Sequence, residues 1–183
     1  RKLDDKKFTL TFIGRLVEVK KISSIIDSLN FLPKKIKRKV YLEIVGDGYL
    51  FDEILLKARN SELKNQIRLF GFDKDVEKYY LRSSLFILPS DNEGFPISLL
   101  EAMSYGVPCL INDFGVPFPK SLLHVMPNNN PRTIALFIEK IFNDLDNTEK
   151  KAVKAKFLVH SQYSFSRVSK KHINLYKSLL KNG

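Results

Sequence analysis

Six short runs of apolar, β-branched or aromatic residues recur along the chain, most of them separated by longer stretches with helical apolar spacing. The runs are Phe8–Ile13, Val40–Val45, Ile67–Phe70, Leu85–Leu88, Val107–Ile111 and, with weaker patterning, Leu122–Met126. Helical spacing appears at roughly 20–31, 49–60, 74–82 and 97–105, then three times more at about 131–143, 148–160 and 165–181. Strands that are apolar at nearly every position fit burial on both faces. Alternation with helices therefore predicts an α/β domain, a doubly wound parallel sheet of about six strands with helices on both faces. With 183 residues and no linker, repeat or low-complexity tract, the expectation is one domain over residues 1–183.

No apolar run approaches the ~20 residues of a spanning helix, which argues against a transmembrane segment. The first seven residues are mostly charged and lack a signal core. A single cysteine, Cys109, leaves no internal disulfide and fits a reducing compartment, so the expected location is cytoplasmic. The sequence has no initiator methionine and enters a strand almost at once, which reads as a piece of a longer protein.

The net charge of +11 raises the question of nucleic acid. Residues 1–41 hold 12 basic and 4 acidic side chains, residues 149–183 hold 9 and 1, and residues 42–148 hold 10 and 15. The positive charge thus lies at the two ends, and no recognition motif accompanies it, so no nucleic-acid partner is expected. The ends read as solvated basic faces, with contact at an anionic membrane surface as the second reading. The basic run Pro33–Lys39 precedes a strand and reads as a solvated loop at the edge away from any site.

In open parallel sheets, ligands bind beyond the carboxyl ends of the strands. Unusual residues cluster there: Gly14-Arg15 after the first run, Gly46-Asp47-Gly48 after the second, Gly71-Phe72-Asp73 after the third, Ser90 to Pro96 after the fourth and Asn112 to Gly115 after the fifth. Pro96 suits the first turn of a helix, and the amides of Gly94, Phe95 and Ile97 onward (Ser98, Leu99) would be free donors at its positive end, an anion site. Glu101 is the only charged residue between Pro96 and Ile111. A shielded carboxylate there needs a partner, and the two hydroxyls of a ribose would supply one. Two glutamates eight apart, Glu93 and Glu101, also fit a capping group and a surface group. Arg15 and Lys20 could neutralise a diphosphate without a metal, although on spacing alone Lys20 and Lys21 read as ordinary helix-surface lysines and only Arg15 is favoured, by its strand-end position.

Taken together, Gly14-Arg15-Leu16 with Lys20, Val45-Gly46-Asp47-Gly48, Leu69-Phe70-Gly71-Phe72, Leu88-Pro89-Ser90, Glu93-Gly94-Phe95-Pro96 and Leu100-Glu101-Ala102-Met103 with Gly106-Val107-Pro108 resemble the donor domain of glycosyltransferase family 4. That domain is the Rossmann-like C-terminal half of a GT-B fold, and the resemblance runs from about Phe8 to Leu180. It implies that Glu101 holds the nucleotide ribose, that Glu93 faces the donor sugar, and that Arg15 and Lys20 grip the diphosphate. Gly14, Gly46, Phe72 and the segment Gly94, Phe95, Pro96, Ile97, Ser98 and Leu99 would border the nucleotide sugar, with Phe72 near the base. It implies a retaining transfer of a hexosyl group from a UDP- or GDP-sugar to a glycan or glycolipid in surface polysaccharide or lipopolysaccharide synthesis. No protein-bound metal or other cofactor is expected. The acceptor would be met through an N-terminal domain absent from this chain, at or near the inner face of the cell membrane.

Two departures stand out. Lys21 occupies a place where many relatives have glycine, and the segment Phe114 to Lys120 replaces a glycine pair followed by glutamate. The second departure motivates an alternative, a non-catalytic module supporting a partner enzyme. Asp73-Lys74-Asp75 and Asp144-Leu145-Asp146 read as a cap near Val76 and a helix end rather than metal ligands. His124, His160 and His172 share no ligand spacing with each other or with Cys109.

Overall fold

The computed structural model describes residue 3, residues 7–163 and residues 165–181. Six strands form one parallel sheet: β1 Phe8–Ile13, β2 Val40–Val45, β3 Ile67–Leu69, β4 Leu85–Leu88, β5 Cys109–Asn112 and β6 His124–Met126. Their order is β3-β2-β1-β4-β5-β6. Each pairing is parallel, with Phe8 opposite Val40 and Leu10 opposite Leu85. Every residue of β1 and β4 is buried, as strands in the middle of a covered sheet must be.

The helices are α1 Ile22–Ser28, α2 Lys34–Lys37, α3 Phe51–Asn60, α4 Glu77–Arg82, α5 Ile97–Ser104, α6 Pro131–Asn143, α7 Leu145–Gln162 and α8 Phe165–Lys181. They cover both faces of the sheet; α1 packs against α6, and α5 against α7. Helix α6 shows how local sequence sets an element. Asn130 accepts the Arg132 amide at 3.0 Å, Pro131 opens the first turn, and Ile134, Ala135, Ile138, Ile141 and Phe142 form its buried stripe. The basic run corrects one expectation: Lys34–Lys37 is a helical turn rather than a loop, anchored by the buried Ile36. Asp144 ends α6 as its C-cap, as expected, and also caps α7 by accepting from the Asn147 amide.

β6 carries a pH-sensitive group. Nε2 of His124 is buried without a hydrogen-bond partner, and burial together with the nearby Lys151 ammonium pushes the imidazole down to about 4. The unfolded chain takes up this proton near pH 6.5, so stability is fully present above that pH and falls as pH drops toward 4. The expected loss is at most about 3 kcal/mol over that window. Urea unfolding of His124→Leu against the wild type tests it; equal pH slopes in the two proteins would contradict the assignment.

The strand order reverses between β1 and β4, and the crevice beyond their carboxyl ends is where a sheet of this topology receives ligands.

Candidate functional site

Glycine turns frame the crevice. The Gly14 amide donates to the Val45 carbonyl at 3.0 Å, and the Gly46 amide to the Gly71 carbonyl at 2.7 Å. Gly46 has φ of 135°, and a Cβ built there would lie 1.9 Å from the Gly14 carbonyl oxygen. Its glycine is therefore demanded by backbone packed on backbone. Between these turns a cleft of about 270 Å³ is lined by Ile13, Gly14, Arg15, Val45, Gly46, Asp47, Phe72, Asp73 and Val76. Phe72 is 71% exposed at its rim. Arg15 is exposed and makes no ion pair among the described residues.

Asp73, at the edge of this cleft, is engaged by its own turn and by α4. Its Oδ1 accepts the Asp75 amide at 2.9 Å, while Oδ2 accepts from the Tyr79 hydroxyl at 2.8 Å and pairs with Lys78 at 2.7 Å. These bonds, Lys78 first, hold the carboxyl down at about 2. It shapes the turn before α4 rather than capping the helix itself, whose N-cap Val76 has no side-chain bond. Among the described residues, no group of three His, Cys, Asp or Glu side chains converges to hold a metal ion.

The loop after β1 reaches the loop after β4 directly. Lys20 and Glu93 form an ion pair of 2.5 Å, with side chains only 15% and 10% exposed. Ser90, fully buried, donates its hydroxyl to the same Glu93 oxygen at 2.6 Å. Both contacts fall on Oε1, so Oε2 of Glu93 has no hydrogen bond among the described residues. The next residue forms a parallel clasp: Lys21 pairs with Asp91 at 2.8 Å, which holds that carboxyl below its ordinary range. Asn129 braces Asp91 at 2.6 Å, and the Asp91 amide donates to the Val19 carbonyl at 2.9 Å.

Lys20 closes a 3₁₀ turn, Glu18–Lys20, instead of opening a helix, and Lys21 follows at φ 52° and ψ 37°, the only non-glycine residue with positive φ among those described. A left-handed conformation at a side-chain-bearing residue costs roughly 1–2 kcal/mol, which gives a physical reason for glycine at this place.

Helix α5 begins at Ile97 with Pro96 at its N-cap, one residue earlier in role than the first-turn position expected of it. No acidic residue occupies its first turn, so its positive end is not neutralised locally. The Pro96 carbonyl accepts the Leu99 and Leu100 amides at 3.1 Å each. That withdraws Leu99 from the expected cradle: its amide is used inside the helix, and its side chain is fully buried. The amides of Ile97 and Ser98 precede the first intrahelical bond and are the donors α5 offers. Gly94 has open space around it. Phe95 packs on Phe118 at 6.0 Å and on Tyr163 at 6.4 Å, so the divergent segment 114–120 buttresses this edge through the buried Phe118.

Glu101, one turn inside α5, accepts the Tyr80 hydroxyl on Oε2 at 2.8 Å and makes no hydrogen bond or ion pair with Arg15, Lys20 or Glu93 among the described residues. The structure thus brings Lys20 and Glu93 into contact and sets Arg15 in the adjoining cleft. Glu101 stands on the neighbouring helix. Ser90 and Asp91 are marked in the sequence only as members of the strand-end cluster, without their partners, and Asn129 and Tyr80 are not marked at all, because each reaches a partner 38 or 21 residues away that no local spacing announces. Of the expected site residues, Gly14, Gly46, Phe72, Gly94, Phe95, Pro96, Ile97 and Ser98 lie on the turns and helix start just described.

An open sheet in the order β3-β2-β1-β4-β5-β6, with helices on both faces, is the Rossmann-like architecture of a GT-B glycosyltransferase domain. The family described as "Glycosyl transferases group 1" matches residues 1–156, and the chain belongs to it. The chain is 29% identical over 182 residues to the uncharacterized glycosyltransferase MJ1607 of Methanocaldococcus jannaschii, covering 95% of this chain and 45% of that protein. It is 30% identical over 163 residues to the O-antigen biosynthesis glycosyltransferase WbnH of Escherichia coli, covering 86% and 45%. The crystal structure of Anabaena Alr3699/HepE, solved in complex with UDP, superposes with a TM-score of 0.84 at 19% identity, over 94% of this chain and 49% of that one. The chain therefore spans about half the length of these relatives.

Proposed function

We propose that this chain is the donor-binding, C-terminal half of a retaining GT-B enzyme of glycosyltransferase family 4, whose N-terminal half meets the acceptor. It would pass a hexosyl group from a UDP- or GDP-sugar to a glycan or glycolipid acceptor in surface polysaccharide or lipopolysaccharide synthesis, at the cytoplasmic side of the membrane. One observation carries this reading: Lys20 and Glu93 meet at 2.5 Å at the reversal of strand order. Arg15 and the unneutralised start of α5 lie on the adjoining turns. The O-antigen biosynthesis named for one relative and the lipopolysaccharide galactosyl transfer named for another support the biosynthetic setting. Membership of a transferase family favours an enzyme over a non-catalytic module.

In the reaction, the bond between the sugar's anomeric carbon and the β-phosphate oxygen breaks, and its electron pair stays on that oxygen. The acceptor oxygen forms the new glycosidic bond and passes its proton to an oxygen of the departing diphosphate. Arg15, Lys20 and the amides of Ile97 and Ser98 meet the charge that gathers on the departing diphosphate, which requires no metal held by the protein. Glu93, through its unengaged Oε2, accepts from hydroxyls of the donor sugar, and Glu101 from those of the ribose. Calorimetric titration with UDP, GDP, ADP and their sugar conjugates tests the reading. One nucleoside diphosphate should bind more tightly than the others without added divalent metal. Absence of binding by all three would refute it.

A further inference from the structure

We infer that Tyr80 is the positioning residue for the Glu101 carboxylate, and through it sets how sharply the site separates a ribose from a deoxyribose. The inference rests on the reading that Glu101 receives the ribose. Tyr80 lies on α4, away in sequence from the glycine turns and from α5, and it is fully buried. Its ring stacks on Tyr105 at 5.4 Å with an interplanar angle of 11°, and sits 6.1 Å from Phe86 on β4. The ring has almost no freedom between them. Its hydroxyl reaches Glu101 Oε2 at 2.8 Å and the Ser98 carbonyl at 3.1 Å. One O–H carries one proton, and the charged acceptor at the shorter distance takes it.

The consequence is orientational. The terminal torsion of a glutamate is broad, and helix α5 supplies no side chain that fixes it. A fixed phenol holding one oxygen sets the plane of the whole carboxylate. Oε1 then has no hydrogen bond among the described residues and is the oxygen available to a diol. Burial, followed by the Glu101 charge itself, pushes the phenol far above its usual range, so Tyr80 remains a donor throughout the working pH. Partners that orient a binding group in this way commonly matter nearly as much as the group itself.

The experiment is calorimetry on the full chain and on Tyr80→Phe, with UDP and GDP and their 2′-deoxy and 3′-deoxy counterparts. The wild type should prefer the ribose form of the better nucleotide roughly tenfold or more, the scale of one charge-assisted hydrogen bond. Tyr80→Phe should still bind the diphosphate, yet its preference should fall below about threefold. The ratio within one variant is unaffected by a partly unfolded fraction, which weakens both ligands equally. Should Tyr80→Phe fail to fold, Tyr105→Leu, which removes the stacked ring and frees the phenol, should lower the same ratio.

A Tyr80→Phe protein with the wild-type ratio, beside a Glu101→Gln protein that has lost it, overturns the positioning role and leaves the ribose reading intact. A wild type with no preference, unchanged by Glu101→Gln, removes both.

Discussion

Replacing Lys20 by methionine is expected to lower sugar transfer by the complete enzyme about 10²–10³-fold, the usual effect of removing one preorganised group that meets developing charge. The same change should also loosen the fold. Glu93 has a side chain only 10% exposed, and without Lys20 its Oε1 keeps the Ser90 hydroxyl alone. Breaking a largely buried pair by removing one partner strands the other charge, which here should cost about 2–3 kcal/mol. Glu93→Gln should destabilise by a similar amount, because it strands the ammonium. The two effects separate in the double variant, Lys20→Met with Glu93→Gln. Neither charge is then stranded, so most of the stability should return while activity stays at least as low as in Lys20→Met. Denaturant unfolding and steady-state kinetics on the four proteins read this directly. A double variant as unstable as the singles would mean that the pair is not the source of the loss. A fully active Lys20→Met would remove it from the chemistry.

Gly46→Ala should be the most damaging glycine-to-alanine change among the described residues. The added carbon would fall 1.9 Å from the Gly14 carbonyl oxygen, at a φ of 135° that residues with a Cβ rarely adopt. Nothing flexible can yield, since the obstacle is backbone already committed at both ends of the turn. A loss of about 3 kcal/mol or more is expected, from steric displacement and backbone strain together. Gly94 provides the contrast within the same site: no atom comes within 4 Å of its Cβ position, so Gly94→Ala should unfold at the wild-type urea concentration. A Gly46→Ala protein within 1 kcal/mol of wild type would show that the β1 and β2 turns can separate more easily than their packing indicates.

The sheet was legible because its strands are covered on both faces and leave an unbroken apolar record. β1, β2 and β4 fall where their apolar runs do. Ends were less so, for local reasons. β5 begins at Cys109 rather than Val107, because the Val107 amide turns back to the Ala102 carbonyl at 2.9 Å to close α5. β6 starts two residues late, since Lys120–Leu122 forms a 3₁₀ turn. α2 escaped notice because its only buried side chain is Ile36, and one apolar residue has no period. In the site, Arg15, Glu93 and Glu101 could be picked out as unusual charges at strand ends or in an apolar helix, whereas Lys20 was marked only by the family resemblance. Their contacts could not. Whether Lys20 met Glu93 or faced water depended on a 3₁₀ turn and a left-handed lysine that no periodicity announces. The Tyr80 to Glu101 bond joins residues 21 apart, across two elements whose packing only the fold decides.

Part of the rim of the crevice is main chain, Gly14 against Gly46 and Gly46 against Gly71, and a side chain at Gly46 has no room. A contour made of peptide groups is the same whatever residues surround it. Relatives that diverge in what they accept must then record the difference in the few side chains projecting over that unchanging frame, and the frame itself can persist long after most of the surrounding sequence has been rewritten.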